Sequence, residues 1–219
     1  MQFSTSEENH IKAIYHLQHT GDVVTTNEVA GRLQTKAASV TDMLKKLKNK
    51  GLLNYEPYQG FTLSKEGKKL ALNIVRKHRL WEYFLVNHLQ FGWDEVHEIA
   101  EELEHINSPL LIEKLDAFLQ FPRFDPHGDP IPDSNGKMEI SKQVNLTDLD
   151  TDLKAEVSAV GSQSSELLEL LRHKKIAIGT ILKVVKKFGF DNSIEIKVEK
   201  NTPFTISQQL AQTLFVKPL

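Results

Sequence analysis

At 219 residues with 40% apolar side chains, the chain is long enough for one or two domains, each with its own core. It has no cysteine, which removes disulfides, thiolate metal sites and cysteine nucleophiles, and no apolar run reaches the roughly 18 residues of a membrane span, so a cytoplasmic protein without a membrane partner is expected. The net charge of −2 conceals a segregation: residues 1–80 hold 13 Lys/Arg against 7 Asp/Glu, residues 81–140 hold 3 against 13, and residues 141–219 hold 11 against 9.

Apolar residues at Ile11, Ile14, Tyr15 and Leu17 predict a helix over residues 4–19, ended by Gly21 and Asp22. Thr25 with Glu28 is a capping-box pattern opening a short helix, with Val29, Ala30 and Leu33 inward. A third helix runs from Lys36 to Lys50, with Val40, Leu44 and Leu47 inward and Gly51 at the C-cap. Residues 52–56 and 61–63, joined by Pro57, Tyr58, Gln59 and Gly60, read as a hairpin. Three helices and a hairpin in that order predict a winged helix-turn-helix. Ser64 caps a long helix to about Leu89, and further helices are expected over residues 93–105 and 108–119. Residues 125–132, with Pro126, Pro130 and Pro132, must be irregular.

Residues 133–152 are polar and read as a linker. From Lys154 onward short alternating runs predict strands at residues 156–160, 181–185 and 193–198, with a small helix over residues 164–171. The expected fold is mainly α with small β. Residues 1–72 form the winged helix-turn-helix DNA-binding domain and 73–140 a helical metal-binding and dimerisation domain. Residues 141–153 form the linker and 154–219 an SH3-like β-barrel domain.

In a winged helix-turn-helix the third helix enters the major groove with its N-terminal residues at the base edges. Lys36, Ala38, Ser39, Thr41 and Asp42 occupy that exposed start, and Lys46 continues a positive face with Lys45, Lys48 and Lys50. Thr25 and Thr26 open the preceding helix, where hydroxyls and free N–H groups can anchor a phosphate. Tyr58, at the hairpin tip, is placed to pack on sugar-phosphate. No Arg, Asn or Gln stands at the start of the third helix, so phosphate contacts and shape readout should outweigh bidentate base pairing.

The middle of the chain carries the other chemistry. His97, Glu101, Glu104 and His105 follow the offsets i, i+4, i+7 and i+8, and His78 and Glu82 follow i, i+4. On a helix each set lies on one face, and imidazoles with carboxylates at that spacing are a donor set for divalent ions. Glu95, Glu98 and Glu102 read as ordinary solvated carboxylates. His10, His16, His19, His88, His127 and His173 read as surface or internally satisfied histidines. Two rivals use the same stripe: a metal-independent winged-helix regulator with a structural His/Glu cluster, and a di-metal carboxylate oxidase. The oxidase pattern repeats Glu-x-x-His on two helices, and here it does not recur, so no enzyme is expected.

The order of the winged helix, Arg76-Lys77-His78-Arg79-Leu80 with Glu82, His97, Glu101-Glu102-Leu103-Glu104-His105 and Gly128-Asp129-Pro130-Ile131-Pro132 resembles the iron- and manganese-dependent repressors. These are the diphtheria toxin repressor and manganese transport regulator group. The resemblance covers about residues 5–140, and the C-terminal segment looks like the SH3-like (FeoA-type) domain of longer members. It implies a metal-dependent repressor of metal-homeostasis genes that binds palindromic double-stranded operator DNA as a homodimer, without an organic cofactor. It also implies two sites per subunit for Mn2+ or, alternatively, Fe2+. One would use Glu101, Glu104 and His105 with Asn9 from the first helix. The other would use His78, Glu82 and His97, completed by Gln163 and Glu166; in manganese-type members the counterpart of His78 joins the first group.

The chain departs from the family pattern in three places. Glu101 stands where iron-type members have Cys and manganese-type members have Glu, and oxygen and nitrogen donors without sulfur suit a harder ion such as Mn2+. Asn9 stands where Met or Asp is usual, and Lys12 where short manganese regulators add a Glu. Gln163-x-x-Glu166 reverses the Glu-x-x-Gln pair of long members. The apolar residues Leu80, Trp81, Phe84 and Leu85, with the helix over residues 108–119, are the expected dimer face.

Overall fold

The computed structural model describes residues 3–18, 21, 23–56, 60–139, 142–199 and 201–219. Tyr58 and His19 lie outside the described residues. The chain divides into two compact units, one of residues 1–78, 102–109 and 132–137, the other of residues 79–101, 110–131 and 138–219.

The first unit opens with α1 (Thr5–Gln18), α2 (Thr26–Arg32) and α3 (Ala37–Asn49), followed by β1 (Leu53–Glu56) and β2 (Gly60–Leu63). The capping box forms: Glu28 N donates to Thr25 Oγ1 over 3.3 Å, and Thr25 N donates to Glu28 Oε2 over 2.7 Å. Gly51 ends α3 at φ 74°, the left-handed conformation a C-cap glycine supplies. The inward residues close one core, in which Ile11, Ile14, Val29, Val40, Leu44, Leu47 and Ile74 are fully buried. β1 and β2 pair antiparallel, from Leu53 opposite Leu63 to Glu56 opposite Gly60. This is the expected winged helix-turn-helix.

α4 (Lys65–Asn87) supplies residues 65–78 to the first unit and 79–87 to the second. The second unit adds α5 (Val96–Leu103, of which 96–101 count here) and α6 (Pro109–Phe118, of which 110–118 count here). Its C-terminal part is a six-stranded antiparallel sheet. The strands are β3 (Val144–Asn145), β4 (Lys154–Val160), β5 (Ile181–Lys187), β6 (Ile194–Val198), β7 (Phe204–Ile206) and β8 (Leu214–Pro218), ordered β3-β8-β4-β5-β6-β7. α7 (Ser165–His173) and α8 (Gln208–Gln212) cap its core.

Two sequence expectations change. Residues 141–153 are not simply a linker: Val144 pairs with Val216, and Leu146 and Leu149, 0% and 3% exposed, belong to the sheet core. The helix expected over residues 93–105 is only Val96–Leu103, so Glu104 and His105 fall in the turn beyond it. Among the described residues no helix is long and apolar enough to cross a membrane.

Candidate functional site

In the first unit the turn after α5 meets α1 and the first part of α4. Glu104 is fully buried. Its Oε2 accepts from Lys12 Nζ over 2.6 Å and stands 2.7 Å from His78 Nδ1. His105 Nδ1 lies 2.5 Å from Glu8 Oε2, and His105 Nε2 lies 3.9 Å from Glu104 Oε1. Lys77 is buried with its Nζ 4.0 Å from Glu8 Oε1. Burial pushes the Lys77 ammonium below its usual range, against the pull of the Glu8 and Glu104 carboxylates. Glu104 Oε1 is buried with no hydrogen-bond donor, and so is Asn9 Oδ1, on α1 next to Glu8 in sequence. A buried oxygen without a proton to accept costs free energy, and a divalent ion is a partner that satisfies it. Asn9, Glu104, His105 and His78 therefore fit a hard-to-borderline cation, with Glu8 orienting the imidazole of His105.

A second cluster lies wholly in the other unit. Glu82, Asp125 and His127 are buried, and each offers a ligand atom within 4.8 Å of the others'. His127 Nε2 lies 2.8 Å from the Trp93 carbonyl, which can only accept, so Nε2 carries a proton and Nδ1 is the atom that faces the carboxylates, 3.7 Å from Glu82 Oε2. Asp125 Oδ1 accepts from the backbone N–H groups of His127 and Asp129, at 2.8 and 2.9 Å. Its Oδ2 has no hydrogen-bond donor and lies 3.5 Å from Arg79 Nε. Burial, then the Asp129 and Glu82 charges, push the Asp125 carboxyl up to about 7, more than Arg79 and His127 offset. Burial alone would lower His127, but Glu82, Asp125 and the Trp93 carbonyl raise it to about 8. The pocket holds more negative charge than its cations balance, and its donors are oxygen and nitrogen, which fits a divalent ion.

This second cluster corrects one expectation. His127 is not a surface or satisfied histidine: it is fully buried, and its Nδ1 has no hydrogen-bond partner. Asp125 was not singled out at all. Of the expected group, His78 is counted in the first unit and Glu82 and His97 in the second. His78 sits with Glu104 in the first, while His97 Nδ1 lies 3.4 Å from Glu82 Oε1 and its Nε2 3.7 Å from Glu101 Oε1 in the second. Gln163 donates its amide to Asp129 Oδ2 over 3.1 Å, and Arg79 lies 3.4 Å from the same oxygen. That places Gln163 behind the cluster, holding an acidic neighbour. Glu166 is exposed in the first turn of α7 and joins no candidate metal group among the described residues.

The nucleic-acid face is built on α2, α3 and the hairpin. Lys36, Ala38, Ser39 and Asp42 are exposed, Thr26 and Thr41 half-buried. Thr25, Thr26, Thr41, Lys45, Lys48 and Tyr55 line a groove of about 480 Å³. Lys48 Nζ lies 5.2 Å over the Tyr55 ring. The lysines of α3 split into two pairs. Lys45 and Lys48 face this groove, whereas Lys46 and Lys50 reach Glu7 on α1, at 3.2 and 2.5 Å. Lys46, expected at DNA, is thus first an anchor of α3 to α1. The Thr25 hydroxyl is likewise engaged, donating to Glu28 Oε2 over 2.7 Å.

Of the expected dimer face, Leu80, Trp81 and Leu85 are buried within the chain. On α6 and just beyond it, Leu110, Leu111, Phe118 and Phe121 are exposed. The Phe118 ring packs 6.3 Å from Phe84 and 5.0 Å from His88.

Three family models match consecutive parts of the chain. They are the iron dependent repressor N-terminal DNA binding domain over residues 2–61, the iron dependent repressor metal binding and dimerisation domain over 64–133, and the FeoA domain over 144–218. A solved manganese-dependent transcriptional repressor in complex with manganese superposes with a TM-score of 0.86 at 31% identity, covering 97% of this chain and 100% of that one. The iron-dependent repressor IdeR of Mycobacterium tuberculosis is 32% identical over 125 residues, 57% of this chain, and the match spans about half of that relative, 54%. An uncharacterised helix-turn-helix type regulator of Methanocaldococcus jannaschii is 36% identical over 118 residues, 53% of this chain and 94% of that relative.

Proposed function

The chain belongs to the iron- and manganese-dependent transcriptional repressors, and we propose that it binds palindromic operator DNA as a cytoplasmic homodimer when a divalent ion, Mn2+ in preference to Fe2+, fills the cluster between α1 and the turn after α5. A family of transcriptional repressors leaves no place for the oxidase alternative. The observation that carries the reading is the convergence of Glu8 on α1 with Glu104 and His105, beside a buried, unpartnered Asn9 oxygen, in the unit that also holds the DNA-reading helix.

A divalent ion supplies there the positive charge that lets carboxylate, amide and imidazole donors share one centre. Asn9 offers its amide oxygen, Glu104 its carboxylate, and His105 and His78 their imidazoles. Holding Asn9 and Glu104 together fixes α1 against the turn, and α1 carries α3 through the Glu7 pairs with Lys46 and Lys50. The DNA-competent arrangement of α3 is then favoured by whatever binds it better, and by linkage DNA favours the ion in return. The donors are oxygen and nitrogen without sulfur, which favours Mn2+. Glu82, Asp125 and His127 form a second centre for the same class of ion. Two-fold pairing through Phe84, His88, Leu110, Leu111 and Phe118 matches a palindromic site.

The test is a gel-shift titration of an operator selected from random duplexes, in Mn2+ and in chelator, alongside a count of bound Mn2+. Wild-type protein should shift the duplex only in Mn2+ and hold two ions. Glu104→Gln should lose the metal response, and Asp125→Asn one ion. Equal affinity in chelator would refute the switch.

A further inference from the structure

Lys12 stands where a cation would. Its Nζ lies 2.6 Å from Glu104 Oε2 and 3.3 Å from His78 Nδ1, and those two atoms are themselves 2.7 Å apart. Three polar atoms from α1, α4 and the turn after α5 thus converge on one point. The Lys12 side chain is 10% exposed and that of Glu104 0%, so this is an interior contact. Oε2 and Nδ1 are atoms that a divalent ion at this centre would take, and the ammonium already holds Oε2 and stands beside Nδ1.

The charges point the same way. Glu8 and Glu104 bring two negative charges, and Lys12 and Lys77 bring two positive ones, all four side chains being buried. A divalent ion added with both lysines in place would leave two positive charges in excess in a desolvated site, which is costly. Lys12 hangs on a flexible four-carbon stem and can withdraw, whereas a guanidinium would be held by its planar fork.

We propose that Lys12 is a tethered competitor of the metal: its ammonium holds α1 to Glu104 in the metal-free chain and must leave before a divalent ion can take Glu104 and His78, so Lys12 sets the metal concentration at which the repressor switches. The proposal rests on the reading of Asn9, Glu104 and His105 as a metal centre. A site whose competent form is populated only about 1–10% of the time has its apparent affinity lowered by about 10–100-fold. Removing the ammonium should recover that factor.

The experiment titrates full-length protein with Mn2+ alone, reading free Mn2+ from its aqueous paramagnetic resonance signal and bound Mn2+ by calorimetry. Lys12→Met and Lys12→Gln should each tighten one class of Mn2+ site by about tenfold or more. The Gln variant keeps an N–H donor toward Glu104, so it guards against a folding defect in the Met variant. Lys12→Arg, which keeps the charge, should bind as the wild type does or more weakly. Glu104→Gln should lose the site. If Lys12→Gln binds no tighter than wild type while Glu104→Gln loses the site, the competitor role is overturned and the metal centre stands. If Glu104→Gln titrates like wild type, the metal centre itself fails, and the role of Lys12 with it.

Discussion

Glu7 gives the most quantitative prediction. It is 2% exposed, with Lys50 Nζ 2.5 Å and Lys46 Nζ 3.2 Å from Oε1, and Ser4 N donates to Oε2 over 2.9 Å. Burial alone would raise its carboxyl, but the Lys50, Ser4 and Lys46 contacts outweigh burial and lower it from 4.5 to about 2. Between those values the unfolded chain binds more protons than the folded one. The stability Glu7 contributes is therefore complete above about pH 4.5 and is lost as pH falls through about 2. At ~1.36 kcal/mol per unit the full contribution is about 3 kcal/mol near neutral pH and about 1.5 kcal/mol at pH 3. The Lys46 side chain is 55% exposed, and solvent screening of that pair trims the expectation to about 2–3 kcal/mol. Glu7→Gln should thus be destabilised by about 2–3 kcal/mol at pH 7, about 1 kcal/mol at pH 3 and almost nothing at pH 2. Urea unfolding followed by far-ultraviolet circular dichroism at those three pH values reads the difference directly. A deficit that stays constant from pH 7 to pH 2, or one below about 0.5 kcal/mol at pH 7, would show that these pairs do not anchor α3 to α1.

Two further perturbations separate contacts that look alike. Lys45→Ala and Lys48→Ala should each weaken DNA binding evenly across sequences and reduce the slope of log affinity against log salt by about 0.9 per phosphate contact, whereas Lys46→Ala should change stability more than the slope; equal slopes for all three variants would contradict the division of the α3 lysines. Gly128→Ala should lower the thermal midpoint and disturb the second cluster. The residue sits at φ +87°, and an added Cβ would fall 2.0 Å from the Ser158 carbonyl oxygen. A loss of about 2 kcal/mol or more is expected from such backbone strain and overlap, and an unchanged midpoint would count against the close packing of this loop on β4.

What the sequence made legible was local. The capping box at Thr25 and Glu28, the C-cap at Gly51 and the inward faces of α1 to α3 are decided by contacts within a few residues, and each is present in the structure. What it left illegible was pairing across long separations. β3 is two residues long and has no period of its own; Val144 is a strand residue only because Val216 is opposite. β8 pairs with β4, from Ala155 opposite Pro218 to Val160 opposite Leu214, across more than fifty intervening residues. The polar run through residues 141–153 reads as a linker because Asn, Asp and Thr dominate it. Two leucines, Leu146 and Leu149, suffice to bring it into the core.

The His97 to His105 stripe is a different case. Its offsets place four side chains on one face only while the helix lasts, and α5 ends at Leu103. His97 and Glu101 keep the helical relation, 3.7 Å apart. Glu104 and His105 leave it and turn to α1, where Glu8 and Lys12 await them. Spacing therefore names the kinds of donor without fixing which of them meet. Asp125 and His127 were missed for the opposite reason, since a loop holding Pro126 and Pro130 has no period to read. Their burial comes from packing: Gly128 lies against β4, and Val160 N donates to the His127 carbonyl over 3.0 Å. Lys12 was visible only as a misfit, a basic residue where short manganese regulators place a carboxylate. The misfit acquires a physical meaning once its ammonium is seen on Glu104 beside His78, because a positive charge held at a cation's position changes how much metal the site requires without changing a single ligand.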